Sequence, residues 1–459
     1  MLFSSITFIY FFLPILLIIY FIAPTKFKNL ILIIFSLLFY FLGEPKYIII
    51  LILSCLVNYY LSKIIEKNKC RKLFLVTSII YNVGQLLIFK YTDFFIENIN
   101  NIFNSNIKYL YIIMPIGISF FTFQNIGYIV DVYNKKHKPS KSLLEYMTYI
   151  SFFPQLIAGP IVRYIDIKND LQNRKESFSK FSEGIKRFTI GLSKKVLIAN
   201  VMGEFAKNII SETIISSWLK PIAYTLQIYF DFSGYSDMAI GLGLMFGFRI
   251  LENFNYPMIA SSITDFWRRW HISLSSWFKD YIYIPLGGNR VNKIKWIRNI
   301  FIVWFLTGFW HGASWNFIIW GLYFGILLVI EKVFLKKYLD KTKIIKHVYT
   351  SIIVIISFMI FSVEDVNQII LNLKNMFFIS DIPLVNNEVL YYFKSNLVLF
   401  IIAIIGSTPF IKILINKVKE TKFKTIINIL EPITYIILLI LSTSFLIDAS
   451  FNPFLYFRF

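Results

Sequence analysis

Long apolar runs separated by short charged segments define the pattern of this chain. In its first half, five predominantly apolar runs occupy residues 5–23, 30–42, 47–61, 73–89 and 110–130. A helix of about 17–25 apolar residues crosses the ~30 Å hydrocarbon core of a bilayer. These runs lack the alternation of apolar and polar residues that marks the strands of a membrane β-barrel. The pattern therefore predicts an all-α, polytopic membrane protein.

The second half continues this pattern with more interruptions. Residues 149–161 are apolar but short and contain two prolines, which favours a re-entrant element over a span. Residues 253–298 are amphipathic and rich in Trp, Arg and Tyr, which favours a position at the membrane interface. Further spans are predicted at residues 196–215, 222–248, 348–361, 397–411 and 426–447, with an apolar stretch at 300–330. We expect one membrane domain over residues 1–459, with roughly eleven transmembrane helices plus re-entrant and interfacial pieces.

Basic residues accumulate in alternate loops and so predict a topology. Residues 63–72 and 135–141 are rich in Lys and Arg, whereas residues 91–109 contain one Lys. Because cytoplasmic loops carry the excess of positive charge, we expect both termini to lie outside a cytoplasmic membrane. Residues 290–298 and 331–346 are then both cytoplasmic. The apolar stretch between them must leave and return on the same side.

Composition agrees with a membrane protein and excludes several other classes. The 459 residues are 57% hydrophobic, and their mean hydropathy is +0.63. The Lys and Arg residues that give the net charge of +21 lie between the apolar runs, as expected of cytoplasmic loops. Nucleic acid is therefore not an expected partner. Cys55 and Cys70 have no disulfide or zinc spacing. No metal-protease, P-loop or dinucleotide motif is present, so we expect no bound metal or nucleotide cofactor.

A histidine occupies the middle of the apolar stretch 300–330. His311 lies in Leu306-Thr-Gly-Phe-Trp-His-Gly-Ala-Ser-Trp315. An ionisable group at membrane depth is costly unless it is paired or solvated, which makes it a functional candidate. Histidine also transfers protons near neutral pH. The alternative is a core histidine bonded to a neighbouring helix. The small residues Gly308, Gly312, Ala313 and Ser314 favour the functional interpretation, because they leave room for an extended ligand. Trp310, Gly312 and Ser314 are candidate lining residues of the ligand's path.

A second histidine follows a basic aromatic segment, Asp265-Phe-Trp-Arg-Arg-Trp-His271. One interpretation is an interfacial belt, in which tryptophans lie at the headgroups and arginines reach lipid phosphates. The other is the polar wall of a tunnel mouth with Asp265, Arg268 and Arg269 as candidate lining residues, whose arginines suit a phosphorylated donor. The tryptophans of the belt are Trp267, Trp270 and Trp277.

Four other polar features carry weaker hypotheses. His137 and His347 lie in basic loops and are expected to be solvated. Asp231 and Asp237 within a span either relay protons in a transporter or support helix packing. The C-terminal tail, residues 448–459, is aromatic and predicted to be extracytoplasmic. The tail anchors at the interface, or its Tyr456 accepts an acyl group as a nucleophile.

Five motifs occur in order along the chain and together resemble the membrane-bound O-acyltransferase family. The match is closest to the branch of the alginate O-acetylation membrane protein, with the teichoic-acid D-alanyl-transfer membrane protein as a neighbour. The resemblance covers most of the chain. The motifs are Phe153-Pro-Gln-Leu-Ile-Ala-Gly-Pro160, Asp231-Phe-Ser-Gly-Tyr-Ser-Asp237, Asp265-Phe-Trp-Arg-Arg-Trp-His271, Phe278-Lys-Asp-Tyr-Ile-Tyr-Ile-Pro-Leu-Gly-Gly-Asn-Arg290 and Phe309-Trp-His-Gly-Ala-Ser-Trp315.

The resemblance implies roles for these residues. His311 matches the catalytic histidine, and His271 matches the second histidine motif. A ring of helices would surround a tunnel, with Gln155 among its candidate lining residues. The co-substrate would be a cytoplasmic acyl thioester, either acetyl-CoA or an acyl carrier protein. Tyr456 resembles a tyrosine thought to carry the acyl group outward to an SGNH-hydrolase-like partner.

The expected function is O-acylation, most simply O-acetylation, of an extracytoplasmic polysaccharide. His311 would act as general base and His271 would orient the donor or stabilise developing charge. Two alternatives stay open at this point. One is D-alanyl transfer to teichoic acid from a carrier protein. The other is a transporter or lipid scramblase without covalent chemistry. Membrane lipids are expected contacts under each hypothesis.

Overall fold

The computed structural model describes residues 1–157 and 159–448. Every regular element within these residues is helical, and they contain no strand. The predicted all-α class is therefore confirmed. The described residues pack into two compact units. Within the described residues, the chain passes between the units at Phe188, at Tyr235 and at Leu251. The expectation of a single membrane domain stays a prediction.

The first unit comprises Met1–Phe188 and Ser236–Leu251. Its helices Ile48–Lys67 and Arg71–Phe103 are joined by a reciprocal amide pair, in which Asn58 donates to Asn82 Oδ1 at 3.1 Å and Asn82 donates back at 2.8 Å. Both side chains are fully buried, and paired amides are how apolar helices satisfy polar groups at membrane depth. The helices that begin in this unit are α1 Leu13–Ile22, α2 Lys28–Gly43, α3 Ile48–Lys67, α4 Arg71–Phe103, α5 Ile118–Tyr133, α6 Leu143–Ser151, α7 Phe153–Leu156, α8 Tyr164–Asn173 and α9 Phe178–Ser193.

The second unit comprises Thr189–Tyr235 and the described residues from Glu252 onward. It holds both candidate histidines. Its helices are α10 Asn200–Asn208, most of α11 Ile214–Met245, α12 Ile263–Arg269, α13 Ile272–Phe278, α14 Lys293–His311, α15 Trp315–Ile330, α16 Lys336–Leu339, α17 Ile345–Ser362, α18 Val366–Met376, α19 Asn387–Ser395, α20 Leu397–Gly406, α21 Phe410–Lys419 and α22 Lys424–Asp448.

Six helices of the described residues are long and apolar enough to cross a bilayer, or seven if the bent pair α19–α20 forms one span. The sequence predicts roughly eleven. The difference falls on segments that the structure makes short or broken, such as α1, α5 and α20. The six candidates are Thr25–Gly43, Pro45–Lys67, Arg71–Phe103, Trp315–Leu339, Ile345–Ser362 and Lys424–Asp448.

Three segments of the chain differ from the predicted pattern. The predicted span at 110–130 becomes helical at Ile118, after Gly117 adopts a left-handed φ of +73°. The predicted span at 196–215 is interrupted after Asn208, and its first part continues from α9 through a π-turn at Lys194–Ala199 into α10. The segment between the predicted spans at 348–361 and 397–411 contains α18 and α19.

Candidate active site

A helical hairpin positions His311. Helix α14 ends at this residue, and α15 begins four residues later at Trp315. The sequence predicts that the apolar stretch 300–330 turns back on itself, and the structure contains that turn. Gly312 is extended and buried, and a methyl group on it would lie 2.1 Å from the ring of Phe317. The turn is therefore tight because the residue after the histidine has no side chain.

Three aromatic side chains surround His311 and are called the aromatic cage: Trp310, Trp320 and Phe361. The imidazole is 2% exposed. Its ring meets Trp320 edge-on at 4.8 Å and Phe361 edge-on at 5.3 Å between centroids, and Trp310 lies at 4.9 Å. Edge-to-face packing of this kind fixes the orientation of a ring and keeps water away from it. The cage thus holds the imidazole in one plane within an apolar surrounding.

Asn316 fixes the far wall of the aromatic cage. This side chain is fully buried, and its amide nitrogen donates to the carbonyl oxygen of Phe361 at 3.0 Å. The bond ties the first turn of α15 to the last turn of α17. Since Phe361 packs on His311, Asn316 holds the imidazole in place through its neighbour.

The second candidate histidine has a strained backbone. His271 lies between α12 and α13 with φ +44° and ψ +54°, a left-handed conformation that is uncommon for residues other than glycine. Such a conformation persists only where the surrounding structure holds it, and it clusters at functional sites. Here Asn253 holds it: its carbonyl oxygen accepts from Ile272 N–H at 3.0 Å, and its side-chain oxygen accepts from Ser273 N–H at 3.1 Å.

These contacts also define the tautomer of His271. Its Nδ1 lies 3.2 Å from Asn253 Oδ1, which already accepts from the backbone N–H of Ser273. An oxygen in that arrangement can only accept, so Nδ1 carries the proton and Nε2 is an acceptor. Nε2 is buried and has no hydrogen-bond partner among the described residues. His271 lies outside the six membrane-length helices, and burial lowers its pKa to about 3. The side chain is therefore neutral near pH 7.

Trp310 connects the two histidines. Its ring centroid lies 4.9 Å from that of His311 and 6.2 Å from that of His271. Phe232 closes the other side of His271, edge-on at 4.7 Å. Residues that are 40 positions apart in sequence are thereby assembled around one indole ring. The structure brings together both predicted catalytic histidines and the predicted lining residue Trp310.

Glu331 is a residue of this region that the sequence analysis missed. Its side chain is 2% exposed, and its carboxylate accepts from Ile263 N–H at 2.7 Å and Thr264 N–H at 3.2 Å. These are the first amides of α12, whose N-terminus favours a negative charge. Glu331 thus anchors the helix that leads to His271. The available signal was an acidic residue directly after the apolar stretch 300–330.

The basic segment before His271 does not form an interfacial belt. Its two tryptophans and Trp277, which follows His271, are between 2% and 8% exposed, and Trp267 packs edge-on against Trp304 at 4.7 Å. The belt interpretation is therefore wrong, because these rings fill the protein interior. Arg269 pairs with Asp265 at 2.9 Å on the partly exposed side of α12, and Arg268 is exposed.

The other predicted residues lie in different parts of the chain. Ser314 is half-buried at the N-terminus of α15. Gln155 belongs to the first unit, where it is fully buried and donates to the carbonyl oxygen of Tyr149. Tyr456 lies outside the described residues. His137 contradicts its predicted solvation, because it is 9% exposed and packs 4.8 Å from Tyr164.

Asp231 and Asp237 are both ion-paired. Asp231 pairs with Lys195 at 2.7 Å, and Asp237 pairs with Arg187 at 2.6 Å. A buried carboxylate that is held against a cation supports helix packing. This arrangement favours the packing interpretation over a proton relay.

Two cavities of the second unit lie away from both histidines. Their volumes are about 280 Å³ and 240 Å³, and neither His271 nor His311 lines them. Within the described residues, no cluster of three or more His, Cys, Asp or Glu side chains could hold a metal ion.

Known proteins resemble this chain over most of its length. The model of the membrane-bound O-acyltransferase family matches residues 135–370, which include both histidines and Glu331. The probable alginate O-acetylase AlgI of Pseudomonas aeruginosa is 40% identical over 80% of this chain and 72% of its own length. The peptidoglycan O-acetyltransferase of Helicobacter pylori is 41% identical over 73% of this chain and 71% of its own. The teichoic acid D-alanyltransferase of Bacillus subtilis is 34% identical over 48% and 60%.

Proposed function

The chain belongs to the membrane-bound O-acyltransferase family, and from that membership we propose that it moves an acetyl group from a cytoplasmic thioester to an extracytoplasmic polysaccharide. It is an O-acyltransferase and a multi-pass membrane protein. The acetyl group and the polysaccharide are proposed because relatives of about 40% identity act as alginate O-acetylase and peptidoglycan O-acetyltransferase. The polymer modified by this chain can differ from both.

One observation carries the assignment to the second unit: His311 and His271 meet the same indole ring. In the proposed reaction, His311 accepts the proton of an acceptor hydroxyl, whose oxygen attacks the thioester carbonyl carbon. The carbon–sulfur bond then breaks, and the thiol leaves with the proton returned by His311. General-base assistance contributes about 10²–10⁴-fold. The aromatic cage supports this role, because it fixes the imidazole and keeps bulk water from competing with the acceptor.

His271 has the complementary role of orienting the donor. Its Nε2 is a neutral acceptor, so it can take a hydrogen bond from an N–H or O–H group of the thioester arm. Stabilisation of a developing oxyanion needs a donor, which this tautomer does not offer. Of the two expectations for His271, we therefore propose orientation. The exposed Arg268 is the residue proposed to meet a phosphate of the donor.

The same proposal includes the acyl donor, the partner enzyme and the side of the membrane on which the termini lie. Acetyl-CoA is proposed as donor, with an acyl carrier protein as the alternative because of the likeness to a D-alanyltransferase over 48% of the chain. Tyr456 is proposed to carry the acyl group outward, and an SGNH-hydrolase-like enzyme to complete the transfer. Positive charge in alternate loops supports a cytoplasmic membrane with both termini outside.

The experiment compares His311→Ala with wild type in membranes supplied with radiolabelled acetyl-CoA and, separately, with a D-alanyl carrier protein. We expect label to reach polymer from acetyl-CoA in the wild type and to fall by at least about 10²-fold in the variant. His347→Ala is the matched control, because His347 lies outside the aromatic cage and bonds to the carbonyl oxygen of Ala260. Unchanged labelling by His311→Ala at equal expression would refute the proposal.

A further inference from the structure

The indole of Trp320 lies against the imidazole of His311 and has an N–H donor. We propose that this N–H binds the oxyanion that forms when the thioester carbonyl is attacked, an inference that rests on the proposed function. The aromatic cage explains how the Trp320 ring packs, but it does not explain the N–H group. With this role Trp320 would be a catalytic residue as well as a wall of the cage.

The N–H of Trp320 is buried without an acceptor. The side chain is 1% exposed, and its Nε1 has no hydrogen-bond partner among the described residues. Buried indole N–H groups usually have a partner, because a buried donor without an acceptor destabilises the folded chain. An oxygen that develops negative charge beside this group would satisfy it. A donor fixed in an apolar site before the reaction stabilises such a charge more strongly than water does.

The distance between the two rings fits this role. The ring centroids of Trp320 and His311 are 4.8 Å apart. A general base lies about 2.6–3.2 Å from the hydroxyl oxygen that it deprotonates. An oxyanion lies about 2.7–3.1 Å from its donor. Because the attacked carbon is bonded to both oxygens, the base and the oxyanion donor have to be close neighbours, as these two side chains are.

The start of helix α15 favours a negative charge at the same place. The N-terminus of a helix has a partial positive charge, and the N-cap residue Ser314 makes no side-chain hydrogen bond to the first turn. Asn316 and Trp320 are four residues apart, so they lie on one face of α15. Asn316 donates to the carbonyl oxygen of Phe361, whose ring packs on His311. The face of α15 that includes Trp320 is therefore the face turned toward the imidazole.

Packing alone is the alternative role of this indole. Trp320 meets Phe324 edge-on at 5.3 Å and Trp267 edge-on at 5.6 Å. If packing is its whole role, the shape of the ring matters and the N–H does not. Trp267 provides the comparison, because its Nε1 is also buried without a partner among the described residues. Within those residues, the ring contacts of Trp267 do not include His311.

The step balances without a further reactant. The acceptor oxygen bonds to the thioester carbon, and the π electron pair of the carbonyl moves to its oxygen. Trp320 donates a hydrogen bond to that oxyanion and keeps its proton. The carbonyl then re-forms, the carbon–sulfur bond breaks, and His311 returns the proton to the thiolate. Trp320 thus supplies the donor that the tautomer of His271 does not offer. Since the N–H is enclosed, the thioester reaches it when a ring of the cage moves aside.

Replacement of Trp320 by benzothienylalanine tests the N–H, because sulfur takes the place of the N–H and the bicyclic shape is kept. The assay follows label from radiolabelled acetyl-CoA to polymer in membranes that contain the full chain. We expect kcat to fall by about 10²-fold. The KM for acetyl-CoA should stay unchanged, because the interaction exists only once the charge has formed. Trp320→Phe also removes the N–H, and it should lower kcat at least as much.

Benzothienylalanine at position 267 is the matched control and should leave kcat unchanged. Unfolding temperatures in detergent show whether each variant is folded. Wild-type kcat with benzothienylalanine at position 320 would overturn the inference, even if Trp320→Phe is impaired, because packing would then explain the loss. Equal losses at positions 267 and 320, or a raised KM with unchanged kcat, would overturn it as well.

The wild type separates this inference from the proposed function. If the wild type transfers acetyl groups and the variant at position 320 is equally active, only the oxyanion role of Trp320 fails. If the wild type transfers no acyl group from acetyl-CoA or from a D-alanyl carrier protein, the proposed function fails, and this inference fails with it.

Discussion

Gly308 and Gly321 face each other across the hairpin of α14 and α15 at backbone contact. A methyl group on Gly308 would lie 3.1 Å from the Cα atom of Gly321 and 2.3 Å from the carbonyl oxygen of Phe317. Such an approach is possible only where both helices lack a side chain. This contact sets the spacing of the two helices that hold His311.

The first prediction concerns this contact. By intrinsic propensity alone, Gly308→Ala should stabilise the helical conformation of α14 by about 1 kcal/mol. It should also force the two helices apart, because the added methyl group would clash with backbone atoms of α15. We expect a lower unfolding temperature in detergent and reduced acyl transfer. Gly325→Ala is the control, since its nearest neighbour would be a side-chain carbon at an ordinary 3.4 Å. Equal stability of Gly308→Ala and Gly325→Ala would contradict the argument.

The second prediction concerns Glu331. Glu331→Ala leaves the buried N–H of Ile263 without an acceptor, so we expect a loss of about 1–3 kcal/mol in the free energy of unfolding. Glu331→Gln keeps one acceptor oxygen and should lose less. Chemical denaturation in detergent measures both values. The exposed Glu364 provides the control variant, Glu364→Ala. If alanine and glutamine at position 331 prove equally stable, the carboxylate does not cap α12.

The third prediction concerns pH. Burial lowers the pKa of His271 from 6.5 to about 3. As the pH falls below about 6.5, the unfolded chain binds a proton that the folded chain does not. The free energy of unfolding should therefore decrease between pH 6.5 and 3, by up to about 1.4 kcal/mol per pH unit. In His271→Gln this contribution disappears, and the dependence on pH becomes shallower.

Unfolding temperatures measured between pH 7.5 and 4.5 test this difference, with His347→Gln as the control. His347 is half-buried, with Nδ1 3.1 Å from the carbonyl oxygen of Ala260. Parallel curves for wild type and His271→Gln would show that His271 is not held neutral.

The fourth prediction concerns Tyr456. If the tail relays the acyl group, mass spectrometry of the C-terminal peptide should find acyl-Tyr456 in the wild type. Tyr456→Phe keeps the ring but removes the hydroxyl nucleophile, so acylated polymer should be lost. Tyr392→Phe, a change of the same kind elsewhere in the chain, should have no effect. Normal polymer acylation in Tyr456→Phe would exclude the relay.

Sequence reasoning predicted from loop charges that the apolar stretch 300–330 turns back on itself, and the structure places that turn directly after His311. It could not find the aromatic cage, since Trp320 and Phe361 lie on separate helices and have no shared spacing with the histidine. It left Trp267, Trp270 and Trp277 open between a headgroup belt and the wall of a tunnel, because an interfacial and a buried tryptophan look alike in a basic segment. Their burial depends on which helices pack over them.

Glu331 is a further residue whose role cannot be recognised from the local sequence. In the sequence it opens a basic segment, 331–346, and resembles an ordinary solvated charge. Its role arises because the N-terminus of α12, 68 residues earlier, comes within hydrogen-bond distance. Local pattern carries no information about a contact over that separation.

The sequence by itself determined the membrane class, the position of most long helices and the two histidines, because hydropathy and motif order are properties of neighbouring residues. The tertiary structure decided the tautomer of His271 and the rings that enclose His311. These depend on contacts between distant segments, where packing and hydrogen-bond geometry select one arrangement from the many that the same local patterns allow.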